Sequence, residues 1–262
     1  MKLPLYWVDA FTDKIFAGNP AAVVPLAEWL PDTLMQRIAF EHGLAETAFF
    51  VKIAEARYHL RWFTPAVEVP LCGHATLASA HVLFTQLGLA GDTVRFDSRS
   101  GSLAATRQPG GKLELDFPAR PAGPSAASEQ LRRGLGRPPE AVFATNAAWL
   151  CVYPRAADVL GLKPDQDVLG QVVPGRMIVT APGDDCDFVS RFFAPDVGIP
   201  EDPVTGGAHT TLIPYWAARL GKTKLHARQV SARGGELWCE LRGDRVGIAG
   251  HAVLYLRGEI SV

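Results

Sequence analysis

The sequence predicts an α+β protein built as two pseudo-symmetric lobes, each a curved, mostly antiparallel sheet wrapped around a central helix. Three observations predict it. The chain repeats itself at an offset of roughly half its length. Each copy shows the same order of alternating strands, a glycine loop, a helix and further short strands. The first of the two helices carries no Asp, Glu, Lys or Arg from Ala75 to Ala90, so it is buried on most sides and needs a sheet to cover it.

The repeat rests on four patches in the same order. RWFTPAVEVP begins at Arg61 and RFFAPDVGIP at Arg191, 130 residues on. CGHAT at Cys72 answers TGGAH at Thr205, and SRSG at Ser98 answers SARG at Ser231, both 133 residues on. A weaker match sets Asn19 in AGNPAAVV against Asn146 in ATNAAWLCV, 127 residues on. One domain with coincidental turn motifs is the competing explanation; the shared order and near-constant spacing favour two copies. ETAFFVKI and ARYHLRWF read as strands by alternation. The helices are predicted over about Thr76–Leu87 and Thr210–Leu220. PGG and RGD separate later alternating runs as hairpin turns do. The first lobe is placed at 1–118 and the second at 131–262, with the strand near 255–262 a candidate to return to the first. ARPAGPSAASEQ, residues 119–130, is the linker candidate because Pro, Ala, Gly and Ser dominate it.

Composition narrows the function classes. The chain has 262 residues, 48% hydrophobic and 20% charged, with net charge −1. That is enough for one large domain or two smaller ones. With no basic stripe, neither nucleic acid nor an anionic membrane is an expected partner. MKLPLYWVDAF has an early proline and an aspartate where a signal peptide needs an apolar core, and no stretch reaches the length of a membrane span. Cys72, Cys151, Cys186 and Cys239 form no CxxC pair, which reads as reduced thiols in a cytoplasmic protein without structural zinc.

The candidate site follows from the two glycine loops. Each leads into a helix N-terminus, where backbone N–H groups lack intrahelical acceptors and the peptide dipoles add partial positive charge. Glycine permits close approach, so two such starts facing one cleft would hold a carboxylate. A glycine before a helix is also an ordinary turn. His74 lies in the first loop, and Asp202 and His209 flank the second, in EDPVTGGAH. Glu46 interrupts the apolar run LAETAFF; buried, it would have a raised pKa suited to proton transfer, whereas on an edge strand it would merely face solvent. His74 is equally compatible with a helix-cap role, and Asp202, before Pro203, with the start of a turn.

DAFTDKIFAGNPAAVV, AETAFF, RWFTPAVEVPLCGHATLASAH and EDPVTGGAHT, in this order, resemble the phenazine-biosynthesis PhzF-type isomerase family over nearly the whole chain. The resemblance implies the two-lobed fold of diaminopimelate epimerase. It also implies isomerisation of a small carboxylic acid, as with dihydro-hydroxyanthranilate, by moving a proton between ring carbons without metal or organic cofactor. By resemblance Glu46 is the acid/base, and His74 and Asp202 bind and polarise the substrate. Gly73, Gly206 and Gly207 hold it by backbone N–H, with Cys72 and Thr205 beside them. Ser98 and Gly101, or their partners Ser231 and Gly234, line the same cleft, and Asn19 matches the family pattern. A homodimer is implied as well. One departure stands out: members of the family often read TGSA where this chain reads TGGA, so Gly207 keeps a backbone donor but lacks a hydroxyl.

Three other functions compete. An amino-acid epimerase of this fold uses two thiols on opposite faces of the α-carbon; Cys72 supplies the first, but Thr205 stands at the second. A non-catalytic small-acid binding protein would use the same cleft. A metal hydrolase is disfavoured because no HxxxH or HxH cluster exists, and Asp184, Asp185 and Asp187 lack EF-hand spacing.

Overall fold

A computed structural model describes residues 1–262. The chain divides into two compact units, Met1–Phe117 with Gly247–Val262, and Pro118–Val246. The segment returning to the first unit thus begins at Gly247, and residues 119–130 belong to the second unit.

The first unit contains β1 (Lys2–Ala10), β2 (Asn19–Leu26), α1 (Asp32–His42), β3 (Glu46–Ala54), β4 (Arg57–Phe63), β5 (Glu68–Val69), α2 (Gly73–Thr85), β6 (Thr93–Ser98), β7 (Gly101–Arg107) and β8 (Leu113–Pro118). The sheet runs from the C-terminal strand Ala252–Ser261 through β1, β2, β3, β4, β6 and β7 to β8. All neighbours are antiparallel except β2–β3 and β4–β6. A parallel step needs a crossover, and α1 and α2 supply the two. Helix α1 was not singled out by the sequence, yet its signals are there. Pro31 precedes it, Gly43 ends it in the left-handed conformation, and Met35, Ile38 and Ala39 form its buried stripe. Helix α2 packs against β1, β2, β3, β7 and the C-terminal strand. Leu77, Val82, Leu83 and Phe84 are all buried there, each worth about 1.5–3 kcal/mol of transfer free energy.

The second unit contains β9 (Gly123–Pro124), α3 (Glu129–Leu135), β10 (Ala141–Ala144), β11 (Trp149–Val152), α4 (Ala156–Leu160), α5 (Gln166–Leu169), β12 (Met177–Pro182), β13 (Phe188–Ala194), β14 (Ile199–Asp202), α6 (Gly206–Leu220), β15 (Lys224–Gln229) and β16 (Gly235–Arg242); β17 (Arg245–Gly250) starts in it and ends in the first unit. Its pairings retrace those of the first unit. The β10–β11 pair is antiparallel, β11–β12 parallel, β12–β13 antiparallel, β13–β15 parallel and β15–β16 antiparallel, with short β14 hooked on β13 as β5 is on β4. Its core joins Leu131 and Leu135 of α3, Val159, Leu169, Met177, Val179 and Phe193.

Strand register settles where the copies differ. Val24 pairs with Phe49 in the first unit, and Cys151 with Val179 in the second. Those residues stand at the 127 and 130 offsets seen in the sequence, so the extra three residues lie in the crossover between the paired strands. Likewise Trp62 pairs with Val69, and Phe192 with Asp202; the next three-residue insertion falls in the 3₁₀ turn Pro195–Val197. With that insertion allowed for, one brace appears twice. Arg61 donates through Nε and Nη2 to Glu68 at 2.8 Å each, and Arg191 donates to Glu201 at 2.7 and 2.8 Å. Each guanidinium also lies over a phenylalanine, 5.1 Å from Phe63 and 5.0 Å from Phe193.

Two expectations shift. The glycine loops are the helix starts themselves: α2 begins at Gly73 and α6 at Gly206, three to four residues before the predicted positions. The SRSG and SARG turns are alike in composition but not in register. Ser98 pairs with Gly101 across a two-residue hairpin, whereas Gln229 pairs with Gly235 across a longer one. The hydroxyl that answers Ser231 is that of Ser100. Ser100 donates to the Pro70 carbonyl at 2.9 Å and Ser231 to the Pro203 carbonyl at 2.8 Å, each proline preceding its helix by the same distance.

Candidate active site

The first unit brings Glu46, Cys72 and His74 together. Glu46 opens β3, which lies between β2 and β4 and is not an edge strand. Its side chain is 12% exposed and that of His74 is 4% exposed. His74 Nε2 lies 3.2 Å from Glu46 Oε2, an approach off the axis of an aligned hydrogen bond. On the other side of the ring, Nδ1 lies 3.5 Å from Cys72 Sγ. One potential ligand atom from each of the three falls within 4.8 Å of the others. Burial pushes the His74 imidazole down to about 3, opposed by a backbone hydrogen bond at Pro20, so the ring is neutral.

Local sequence explains these positions. Cys72 is the extended residue before α2, and its carbonyl accepts from the Thr76 N–H at 3.2 Å and from Thr76 Oγ1 at 2.5 Å. The N–H groups of Gly73 and His74 open the helix, where no intrahelical acceptor exists. Pro20 follows Asn19, the fully buried first residue of β2. Gly18 before it has φ +65°, and a Cβ there would sit 2.2 Å from the Ala10 carbonyl oxygen, so the AGNP turn needs glycine. Ser98 and Gly101 close their hairpin by an Oγ-to-carbonyl bond of 2.8 Å; Ser100 between them ties it to the loop before Cys72.

The second unit builds a different half-site from the equivalent positions. Asp202 ends β14 at 8% exposure, and its Oδ2 accepts a short hydrogen bond from Thr205 Oγ1. Gln229, 1% exposed, locks this turn. Its Oε1 accepts from the Thr205 N–H at 2.8 Å, and its Nε2 donates to the Asp202 carbonyl at 2.7 Å and to Thr205 Oγ1 at 3.1 Å. Gly206 is buried at the start of α6. Gly207 is exposed, and a Cβ built on it meets nothing within 4 Å. His209 takes the place that Thr76 has in α2 and contacts the equivalent carbonyl, Thr205 O, through Nδ1 at 2.8 Å. Burial lowers its pKa to about 4. Ser231 accepts from the Gly234 N–H at 3.1 Å, within the turn tied to Pro203.

Sequence reasoning missed Gln229 and Ser100. Gln229 sits in an alternating stretch, HARQVS, that reads as an ordinary strand. Its partners lie 24 and 27 residues back in the chain, beyond any local signal.

Two units of repeated strand order, each with a helix start beside polar residues, define the epimerase-like fold class. A hydroxyproline epimerase from Agrobacterium vitis shares it, with a TM-score of 0.63 at 10% identity over 99% of this chain and 92% of that one. The match is far stronger elsewhere. A PhzF-family phenazine biosynthesis protein from Enterococcus faecalis superposes with a TM-score of 0.96 at 45% identity, covering both chains fully. An uncharacterized isomerase of Pseudomonas aeruginosa is 52% identical over the whole of both chains. The family model for phenazine biosynthesis-like proteins, PhzC-PhzF, matches residues 8–258. The chain belongs to that family, and it is an isomerase. No helix is long and apolar enough to cross a membrane.

Proposed function

We propose that the protein is a cofactor-independent isomerase of a small carboxylic acid, with Glu46 as the group that moves the proton, similar to dihydro-hydroxyanthranilate isomerase. The observation that carries this is the contact between the Glu46 carboxyl and a buried, neutral imidazole at 3.2 Å. A single carboxyl group removes a proton from one carbon and returns it to another on the same face of the substrate. A neutral His74 beside it orients the carboxyl without adding a competing charge. The helix start at Gly73 offers backbone donors for the substrate's carboxylate, where the developing negative charge is also stabilised. Asp202, held by Thr205 and Gln229, is assigned to a polar group of the substrate, with Thr205, Gly206 and Gly207 beside it.

Proton–deuterium exchange in heavy water, followed by NMR over a panel of cyclic unsaturated carboxylates and amino acids, tests this reading. Glu46→Gln is expected to lower exchange by about 10²–10⁴-fold while leaving ligand binding intact. Retained exchange in Glu46→Gln rejects the assignment. A second reading, epimerisation, is favoured by one observation, the Cys72 thiol 3.5 Å from His74. Its second acid/base position holds Thr205, whose hydroxyl donates to Asp202. Exchange that survives Glu46→Gln and is lost in Cys72→Ser would select it.

A further inference from the structure

Glu46, Cys72 and His74 offer a carboxylate oxygen, a thiol sulfur and an imidazole nitrogen from three positions of one unit, all within 4.8 Å of one another. That mixture is the donor set of Zn²⁺, which takes sulfur, nitrogen and oxygen ligands, and it is unsuited to Mg²⁺ and Ca²⁺, which demand oxygen. Metal–ligand bonds of about 2.0–2.3 Å in a tetrahedron put neighbouring donors roughly 3.3–3.7 Å apart. The present separations are 3.5 Å for Sγ to Nδ1 and 3.2 Å for Nε2 to Oε2. A single ion uses one ring nitrogen, so one of the flanking groups must swing toward it, and the 4.8 Å span limits that adjustment to about an ångström or two. Cys72 and His74 are two residues apart at a helix start and Glu46 opens a strand, so regular backbone fixes the positions from which the three side chains reach the cluster. The equivalent positions of the second unit, Thr205 and Gly207, carry neither thiol nor imidazole, so the cluster exists once.

We infer that Glu46, Cys72 and His74 bind a borderline-soft divalent cation, Zn²⁺ foremost, and that the bound ion blocks the enzyme. Cys72 ligates as the thiolate, its proton passing to solvent, and three protein ligands leave a fourth position for water. Inhibition follows because coordination of one oxygen by the ion lowers the basicity of the Glu46 carboxylate that would take the proton; this part rests on the function proposed above, while binding does not.

The test is a Co²⁺ titration of the full chain after treatment with a chelator, read by absorption. Expected are one equivalent bound, the visible bands of tetrahedral cobalt, and a near-ultraviolet thiolate-to-cobalt band. Zn²⁺ should displace the ion and excess Mg²⁺ should not. Cys72→Ser should abolish the near-ultraviolet band and weaken binding by at least about 100-fold; Glu46→Gln should weaken binding but keep the band. Circular dichroism of each variant checks that it folds. No saturable binding by the folded wild type, or binding unchanged in folded Cys72→Ser, overturns the inference. If a variant fails to fold, competition by a thiol-directed alkylating reagent on wild type replaces it: Zn²⁺ should protect Cys72 from labelling, and unprotected labelling overturns the site. Proton exchange separates the two proposals. Metal binding without any exchange activity leaves the site standing and removes the isomerase mechanism, and exchange insensitive to Zn²⁺ with no cobalt band does the reverse.

Discussion

Gln229, itself almost fully buried, uses both ends of its amide to hold the Asp202–Thr205 turn, so its replacement should be costly out of proportion to its size. Gln229→Leu removes the acceptor of the Thr205 N–H and the side-chain donor to the Asp202 carbonyl, an expected loss of about 1–3 kcal/mol in urea denaturation. Gln229→Glu keeps the acceptor but turns a second oxygen toward the Asp202 carbonyl and buries a charge, so it should lose at least as much. Gly207→Ser tests the opposite situation. Open space surrounds the new side chain, and serine is the better helix residue, so unfolding free energy should rise by about 0.5 kcal/mol. Any change in substrate KM would then reflect the added hydroxyl and not a disturbed fold. The sequence shows Glu46 because a lone carboxylate stands out in an apolar strand. It hides Gln229 because a glutamine in an alternating strand looks like any half-exposed residue, and only tertiary pairing reveals its role.

At the scale of elements, the two arginine braces look alike but are not equally replaceable. Glu68 is also paired with Arg99 at 2.7 Å, so it keeps a cation when Arg61 is removed. Glu201 has Arg191 as its ion-pair partner, and Arg191 Nη1 donates as well to the carbonyls of Val159 and Leu162 at 3.1 and 2.9 Å. Arg191→Met should therefore cost about 3–5 kcal/mol, and Arg61→Met less than half of that, measured by chemical denaturation. The reason the second brace escapes the sequence is arithmetic. At constant offset Glu68 falls on Gly198, and only the inserted 3₁₀ turn brings Glu201 into its place. The helices are legible from their apolar runs, but their first turns are not. Glycine is a weak helix former, so a run that opens with Gly73 or with Gly206 and Gly207 reads as a loop until its position before a buried helix is seen.

At the scale of the whole molecule, acid should weaken the fold before carboxylates are titrated. His209 is neutral when folded, with a pKa of about 4 against an ordinary value of 6.5. Below pH 6.5 the unfolded chain takes up a proton that the folded chain refuses. Stability is therefore full above about pH 6.5 and falls by up to about 3 kcal/mol as pH drops toward 4. Denaturation midpoints measured across that range should fall less steeply in His209→Gln, the remaining slope coming in part from His74, which burial also keeps neutral. The doubling of the chain is visible in sequence because four short patches keep their order; the return of the last residues is only partly so, since a terminal strand carries no mark of its partner. That return has a consequence for how the protein is made. Lys2 pairs with Ser261 and Ala10 with Ala252, so β1 acquires this neighbour only once residues 252–261 have left the ribosome. Strands β10 to β16 pair among themselves and can close earlier. A released chain truncated after Gly250 should accordingly resist protease within Pro118–Val246 and be cut in the first 117 residues. Until the C-terminal strand arrives, the open flank of β1 is a template on which two nascent chains can stick together.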